Sequence, residues 1–536
     1  LASLENTVPD FDTIVIGSGA GGLTAALALA RIGQRVLVLE QHSLPGGWCH
    51  SFSLNGFLFS PGVHYIGQLH PRGRLRRLYE GLGVANDLTF LELNPDGFDH
   101  IIIGGKRFDI PKGLPRYIAR LKQEFPAEAD KIEPLFRVLQ SLANAGGVRR
   151  SLRDRWWLLT YGLRSMDHLL NRFGIRDRRL RAVLTMQAGD HGMGPCEAPA
   201  ALHAAVMAHY FEGAYYPKGG ARMLPRAFIR GLRRHGGDIR LSTPVARIVT
   251  EPAGRRRRVT GVETENGDFL SARQVLSNAD PEVTFNGLVG TEHLSRRLRR
   301  RLARTEYSLS AISLFCATNL DLEAKGLDSG NYWFAEEPRV EDLYDLAKQK
   351  NPLAADTLPG IFLTVTTLKD RAKRSDGLHT LECFAFVSYD AFAAWQDSAY
   401  DHRPKAYEVL KTRLTAMMLH RMDQLIPDLS SNLVFSSLGT PLTNAHYIRS
   451  TRGNLYGTAK RWNQIGPWSY SPRTEIGGLY LCGASTAAHG VAGATETGII
   501  AAAAVAGCHV GRFLGAKDQH LMIEPCEPAA RPSVSS

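Results

Sequence analysis

The stretch Phe11-Asp-Thr-Ile-Val-Ile-Gly17-Ser-Gly19-Ala20-Gly21-Gly22-Leu23 decides the fold, together with the Ala- and Leu-rich run to Ile32 and with Gln34-Arg-Val-Leu-Val-Leu-Glu40. Phe11–Ile16 is a short β-branched run of the kind that forms a buried parallel strand. Leu23–Ile32 is a strong helix former, and Gln34–Glu40 reads as a second strand ending in an acid. Gly17 permits the tight turn, Gly19 lets backbone approach a pyrophosphate, and Gly22 lets helix and strand pack closely. The helix N-terminus, with Ala20 and Gly21 in its first turn, presents unpaired N–H groups to phosphate charge. Glu40 lies at the distance, about 20 residues on, from which an acid reaches the adenosine ribose hydroxyls. An acid there repels a 2′-phosphate, which argues against NADP. A lone GxGxxG is weak evidence, and a mere tight turn is the bland alternative. Here the motif has a strand before it, a helix and strand after it, and the terminal acid.

Two features favour FAD over NAD. After Glu40 comes Gln41-His-Ser-Leu-Pro-Gly46-Gly47-Trp48, whose glycine pair allows close backbone approach to a cofactor. The second is Gly478-Leu-Tyr-Leu-Cys-Gly483-Ala484-Ser485, continuing through Gly490, Gly493, Ala494 and Glu496 into an Ala-rich helix. It is again strand, glycine-rich turn and helix. A helix N-terminus aimed at a flavin stabilises negative charge on the reduced ring. Read alone, it could equally be an ordinary strand-to-helix connection.

The chain has 536 residues, enough for more than one domain, with 44% hydrophobic and 22% charged residues. That balance excludes disordered and collagen-like classes. The net charge is +12. Its basic runs (Arg149–Arg155, Arg255–Arg258, Arg296–Arg301) match no nucleic-acid module, so no nucleic-acid partner is expected. Anionic membrane or simple solubility remain. Seven scattered cysteines without CxxC form neither a disulfide framework nor a zinc site, so no metal and a reducing, cytoplasmic setting are expected. Leu1–Asp10 lacks signal-peptide character, and residues are expected to be missing upstream. No apolar run is long enough to span a bilayer. Arg149–Leu170 mixes arginines with Trp156, Trp157 and Tyr161. That composition suits either peripheral contact with a membrane surface or a helix that buries its tryptophans.

Further strings carry a resemblance: Pro45-Gly-Gly-Trp-Cys-His50, Gly56-Phe-Leu-Phe-Ser60-Pro-Gly-Val-His64-Tyr65, Gly189-Asp-His191-Gly, Tyr215-Tyr-Pro-Lys-Gly219-Gly220 and Arg452-Gly-Asn-Leu-Tyr456-Gly. From Asp12 to about Gly507 the chain resembles the phytoene desaturase-like flavoproteins, most closely their retinol saturase and carotenoid isomerase branch. Many relatives carry Asp where Ser60 stands. Related amine oxidases have Gly-Asp where this chain has Gly483-Ala484, a change that desaturases share.

The resemblance implies an α/β fold: a Rossmann-like FAD-binding domain of the glutathione reductase and amine oxidase type, interleaved with an α+β substrate domain. The FAD-domain segments are expected at 11–84, 216–279 and 433–507, the substrate domain at 85–215 and 280–432. A tail covers 508–536, disordered from Gln519. Asp238–Val249 reads as a strand pair, and Val259–Leu276 as a hairpin about Asn266-Gly267. His100–Ile110 reads as a second hairpin; Ser308–Asn319, Gly360–Leu368 and Leu378–Tyr389 read as strands. Helices are expected at Leu114–Phe125, Ile132–Ala145 and Tyr407–Leu425, roofing an apolar tunnel over a sheet floor. The resemblance also implies that Val245 meets the adenine side by backbone.

The same resemblance implies a flavin-dependent oxidoreductase acting on CH–CH groups of a long apolar polyene, retinoid or carotenoid-like. Saturation by hydride transfer plus protonation is the leading reading; desaturation and cis–trans isomerisation remain open. Candidate proton carriers are His64, Tyr65, His191, Tyr456 and Glu496, with His64 also a cofactor contact. For each, an ordinary structural role is the competing reading. Without a second GxGxxG the electron donor or acceptor is unidentified. A rival of another class is a non-redox prenyl-lipid carrier, since Rab escort and GDP-dissociation-inhibitor proteins are similar in fold.

Overall fold

The computed structural model describes residues 8–144, 151–254, 256–353, 356–373 and 377–526. Arg149, Arg150, Arg255 and the last residues of the expected tail, 527–536, lie outside the described residues.

Two seven-stranded sheets carry the molecule. In the first, Phe11–Ile16 lies between Val36–Leu39 and Phe269–Ser277, all parallel, with Asp238–Arg240 beyond Val36–Leu39. Leu479–Leu481 joins Phe269–Ser277, also in parallel. These strands are apolar because helices cover them: Ala20–Arg31 packs against Gly490–Ala506 and Met223–Arg234. The hairpin Arg256–Thr264 and Phe269–Ser277 turns at Gly267 (φ +88°), as its Asn-Gly signal predicts. Asp238–Arg240 and Val245–Ala253 do not pair with each other. They lie at opposite edges of this sheet, which corrects the expected strand pair.

The second sheet runs Leu433–Gly439, Ser310–Thr318, His379–Val387, Gly360–Val365, Asn331–Ala335, Asp99–Ile103 and Lys106–Ile110, in spatial order. Every pairing is antiparallel except that of Asn331–Ala335 with Asp99–Ile103. Leu433–Gly439 hydrogen-bonds along Ser310–Thr318, so the segment expected to begin the last FAD-domain piece belongs here instead. Helices Leu114–Glu124, Ala129–Ala143 and Lys405–Leu425 stand close to their sequence expectation.

A third, small sheet joins Thr89–Glu92, Tyr215–Pro217 and Met522–Pro525. The last strand overturns the expectation of disorder from Gln519: Met522–Pro525 runs parallel to Thr89–Glu92, and Leu521 and Cys526 are buried on either side of it. No helix among the described residues is long and apolar enough to cross a membrane.

Candidate functional site

Two helix N-termini open on one cleft. Ala20–Arg31 starts after Gly19 and Gly490–Ala506 after His489, neither with a side-chain cap, so their first N–H groups are available to an anion. The cleft holds about 1770 Å³ free of protein atoms, its mouth included. Residues 17–21, 40–42, 46–50, 61–64, 278–280, 454–457 and 483–485 line it, with Val245, Gly490, Val491 and Ala494.

The turn is packed so that only glycine fits. A Cβ on Gly22 would lie 2.2 Å from the Gly17 carbonyl oxygen, and one on Gly21 would lie 2.7 Å from Asn278 Oδ1 and 2.8 Å from Gly483 Cα. Gly17 and Gly483 have φ of +90° and +86°, a region that side chains avoid. Asn278, directly after Phe269–Ser277, joins the two turns: its N–H donates to Ile16 O at 2.9 Å, and its Oδ1 lies 3.4 Å from Cys482 Sγ. The sequence reading missed it. A polar residue ending an apolar strand beside the glycine turn was the available signal.

Glu40 is buried. Its Oε2 accepts from the Ser18 N–H (2.8 Å) and hydroxyl (2.6 Å), and its Oε1 from the His42 N–H (2.9 Å). A carboxylate has about four acceptor sites, so Glu40 ties the two loops and keeps capacity toward the cleft. The cradle that a Cβ would fill, the paired N-termini and this acid together fit an FAD. Gly22 and Gly493 stand behind the wall, Gly493 against Ala488.

Beyond the cradle the lining becomes apolar, with Val63, Ala311, Phe384 and Leu455. Behind Phe384 the expected tunnel floor is filled: Phe362 stacks on Phe384 at 4.7 Å, and Trp333 packs edge-on against Phe362 at 4.6 Å.

His64 lines this end, its Nδ1 3.1 Å from Glu382 Oε2. Glu382 Oε1 accepts the Ser60 N–H at 2.7 Å, and Lys369 donates to His64 O at 2.6 Å. Ser60, where relatives carry Asp, thus sits against a carboxylate supplied by the second sheet. Glu382 lay hidden in an apolar strand and gave no sequence signal.

Tyr456 also lines the cleft, its ring 5.3 Å from that of His489. Burial and then the neighbouring Asp190 raise its hydroxyl well above the usual range. The other proposed proton carriers do not reach the cleft lining. Tyr65 is buried, stacked on Tyr210 at 4.3 Å, its hydroxyl 2.8 Å from Asp190 Oδ2. His191 is buried against His203, 3.2 Å between ring nitrogens, and burial holds its imidazole neutral. Glu496 pairs with Arg74 at 2.7 Å, facing the helix Arg74–Leu82.

Two residues that the sequence reading passed over secure the closing turn. Asp280 accepts from the Thr451 N–H and from Asn454 Nδ2, each at 2.8 Å, and from the Ser485 hydroxyl. Lys460 donates to Ala484 O and Thr486 O, each at 2.7 Å, and burial lowers its ammonium to about 7. Lys460 acts through backbone oxygens, which no motif marks.

A family model described as flavin containing amine oxidoreductase matches residues 20–319. The all-trans-retinol 13,14-reductase of Danio rerio is 30% identical over 92% of this chain and 85% of its own length. The chloroplastic prolycopene isomerase of Arabidopsis thaliana is 24% identical over 92% of this chain and 82% of its own. Among solved structures, cyclohexylamine oxidase from Brevibacterium oxydans superposes with a TM-score of 0.59 at 19% identity, covering 93% of this chain and 99% of that one, which shows the shared fold.

Proposed function

The chain belongs to the flavin containing amine oxidoreductase family, and from that premise we propose that this FAD-dependent oxidoreductase adds hydrogen across a carbon–carbon double bond of a long apolar polyene, retinoid or carotenoid-like. One observation carries the reading: the glycine cradle runs without a break into an apolar wall of Val63, Ala311, Phe384 and Leu455, where His64 and Tyr456 place the polar atoms. The 30% identity to a retinol 13,14-reductase supports saturation over the other outcomes.

Gly17–Gly22, Glu40 and the N-terminus of Gly490–Ala506 would hold the FAD. When bound, the flavin supplies hydride to carbon. The chain's own residues do the rest. The apolar wall excludes water and holds the alkene in reach. His64, beside Glu382, and Tyr456 are positioned to hold a proton beside it.

A second reading, double-bond isomerisation, is favoured by the match to a prolycopene isomerase over 92% of the chain. Anaerobic incubation of the reduced, flavin-loaded protein with retinol or a carotenoid separates the outcomes by product mass. A gain of two hydrogens is expected. An unchanged mass with shifted absorbance would replace saturation by isomerisation, and a loss of two hydrogens would replace it by desaturation. Purification without yellow colour and refusal of added FAD would favour the non-redox carrier.

The partners include a membrane surface. On the helix Leu152–Tyr161 and the residues just beyond it, Leu152, Trp156, Leu159 and Leu163 recur at helical spacing and are exposed, at 84%, 56%, 87% and 45%. Arg153, Arg155 and Arg164 flank them, all exposed. An apolar stripe edged with arginine suits an anionic interface, from which an apolar substrate would be collected. Trp157 takes the other option, half-buried and stacked on Tyr161 at 5.6 Å.

A further inference from the structure

Behind the cleft wall lies a buried cluster that the cradle does not use. Asp99 and Asp190 both approach the hydroxyl of Tyr65, at 3.3 and 2.8 Å. The two carboxyls have different company. Asp99 receives three neutral N–H donors: Asn331 Nδ2 at 3.0 Å, Trp333 Nε1 at 3.2 Å and Gln187 Nε2 at 2.8 Å. Lys369 stands behind Asn331 on the same side. Asp190 has only the hydroxyls of Tyr65 and Tyr210, each able to accept as well as donate. Two anions this close and this deeply buried cannot both persist. The donor geometry places the negative charge on Asp99 and a proton on Asp190. The chain is then satisfied throughout: Asp190 donates to Tyr65 Oη, and Tyr65 donates to Asp99 Oδ2.

The cluster abuts the cleft through Tyr456. A Cβ on Gly192 would lie 3.0 Å from the Tyr456 ring. The backbone oxygen of Asp190 accepts from His489 Nε2 at 3.1 Å, and His489 packs against Tyr456.

We propose that Asp99 and Asp190 share one proton, that Asp190 carries it at neutral pH, and that Asp190 restocks the hydroxyl of Tyr456, the proton donor to the polyene. This rests on the saturation reading above. In balance, the alkene π bond breaks and two C–H bonds form. One uses hydride, with both electrons from the reduced flavin. The other uses the Tyr456 proton, which Asp190 replaces before regaining its own from solvent. Re-reduction of the flavin requires an external two-electron donor. Burial, then the charge of Asp99, lifts Asp190 far above the ordinary carboxyl range, and burial lifts Asp99 less far against its three donors.

Infrared spectra of the flavin-loaded full chain, in H₂O and D₂O, test the shared proton without substrate. A buried protonated-carboxyl band at neutral pH is expected to survive Asp99→Asn and vanish in Asp190→Asn. No band in the unsubstituted chain, or one that Asp190→Asn leaves intact, overturns the proposal; the unsubstituted spectrum decides even where a variant misfolds. Delivery is tested by single turnover of the reduced chain with polyene. Tyr456→Phe is expected to slow product formation by roughly 10²–10⁴-fold with FAD retained. Asp190→Asn is expected to abolish the alkaline decline in rate, and Asp190→Glu to restore it. An Asp190→Asn profile like the parent's overturns the delivery route. Should the unsubstituted chain add no hydrogen, the saturation reading and the delivery step fall together, while the infrared band still decides the shared proton.

Discussion

At the residue scale the cofactor cradle was legible and the chemistry beside it was not. Gly17, Gly19 and Gly22 stand in one short motif because a single turn must meet three steric demands, and such demands leave a local trace. Gly22→Ala would set a methyl 2.2 Å from the Gly17 carbonyl oxygen, backbone that cannot step aside. A loss of about 1–3 kcal/mol, the usual cost of overpacking, is expected in chemical denaturation, together with loss of bound flavin by absorbance. An alanine variant that keeps both would show that the turn is slack. Glu382 meets the site from the middle of His379–Val387, a distant strand, and nothing in its own neighbourhood announces it. Glu382→Gln removes the carboxylate charge 3.1 Å from His64 Nδ1. Turnover is expected to fall roughly tenfold, about 1.4 kcal/mol, with FAD still bound. Unaltered turnover and pH profile would reduce His64 to a packing residue.

At the element scale, strands with β-branched alternation and helices with apolar periodicity stood close to where the sequence put them. The failures have a common cause. Met522–Pro525 is too short and too near a proline-rich end to read as a strand, and it exists because Thr89–Glu92 offers it an edge. Leu433–Gly439 reads as a strand, but its sheet is chosen by Ser310–Thr318, more than a hundred residues away. Pairing across such distances leaves no local pattern. The helix Leu152–Tyr161 is the opposite case: its mixed composition was noticed, and only the structure shows which tryptophan faces out. Trp156→Ala combined with Leu159→Ala removes exposed side chains, so folding stability should move by less than about 0.5 kcal/mol. Binding to anionic phospholipid vesicles in a flotation assay should drop severalfold, most visibly at high salt, where the arginines' attraction is screened. Equal flotation of variant and parent would mean that the stripe does not touch the bilayer.

At the scale of the whole molecule, one sheet carries the glycine cradle and the other supplies Ala311 and Phe384 of the apolar wall, and several ionisable groups are buried. Five histidines are buried or half-buried and held neutral. Burial lowers His50, His203 and His209 to about 4 and His489 to about 3, and holds His191 well below its usual value. Once unfolded, each titrates near 6.5. Between about pH 6.5 and 4 the unfolded chain therefore binds more protons than the folded one, and stability must fall as pH falls through that window. Asp99, Asp190, Glu496 and His100 oppose this, since their raised values make the folded state the better proton acceptor over part of the same range. Five lowered imidazoles, joined at the acid end by Asp109 and Asp328 with lowered carboxyls, outweigh these four groups. The thermal midpoint of the flavin-loaded protein is expected to drop steadily on acidification from pH 6.5 toward 4, and His203→Gln, which cannot take up a proton, is expected to flatten part of that slope. A midpoint that holds or rises across the window would mean that water reaches these imidazoles.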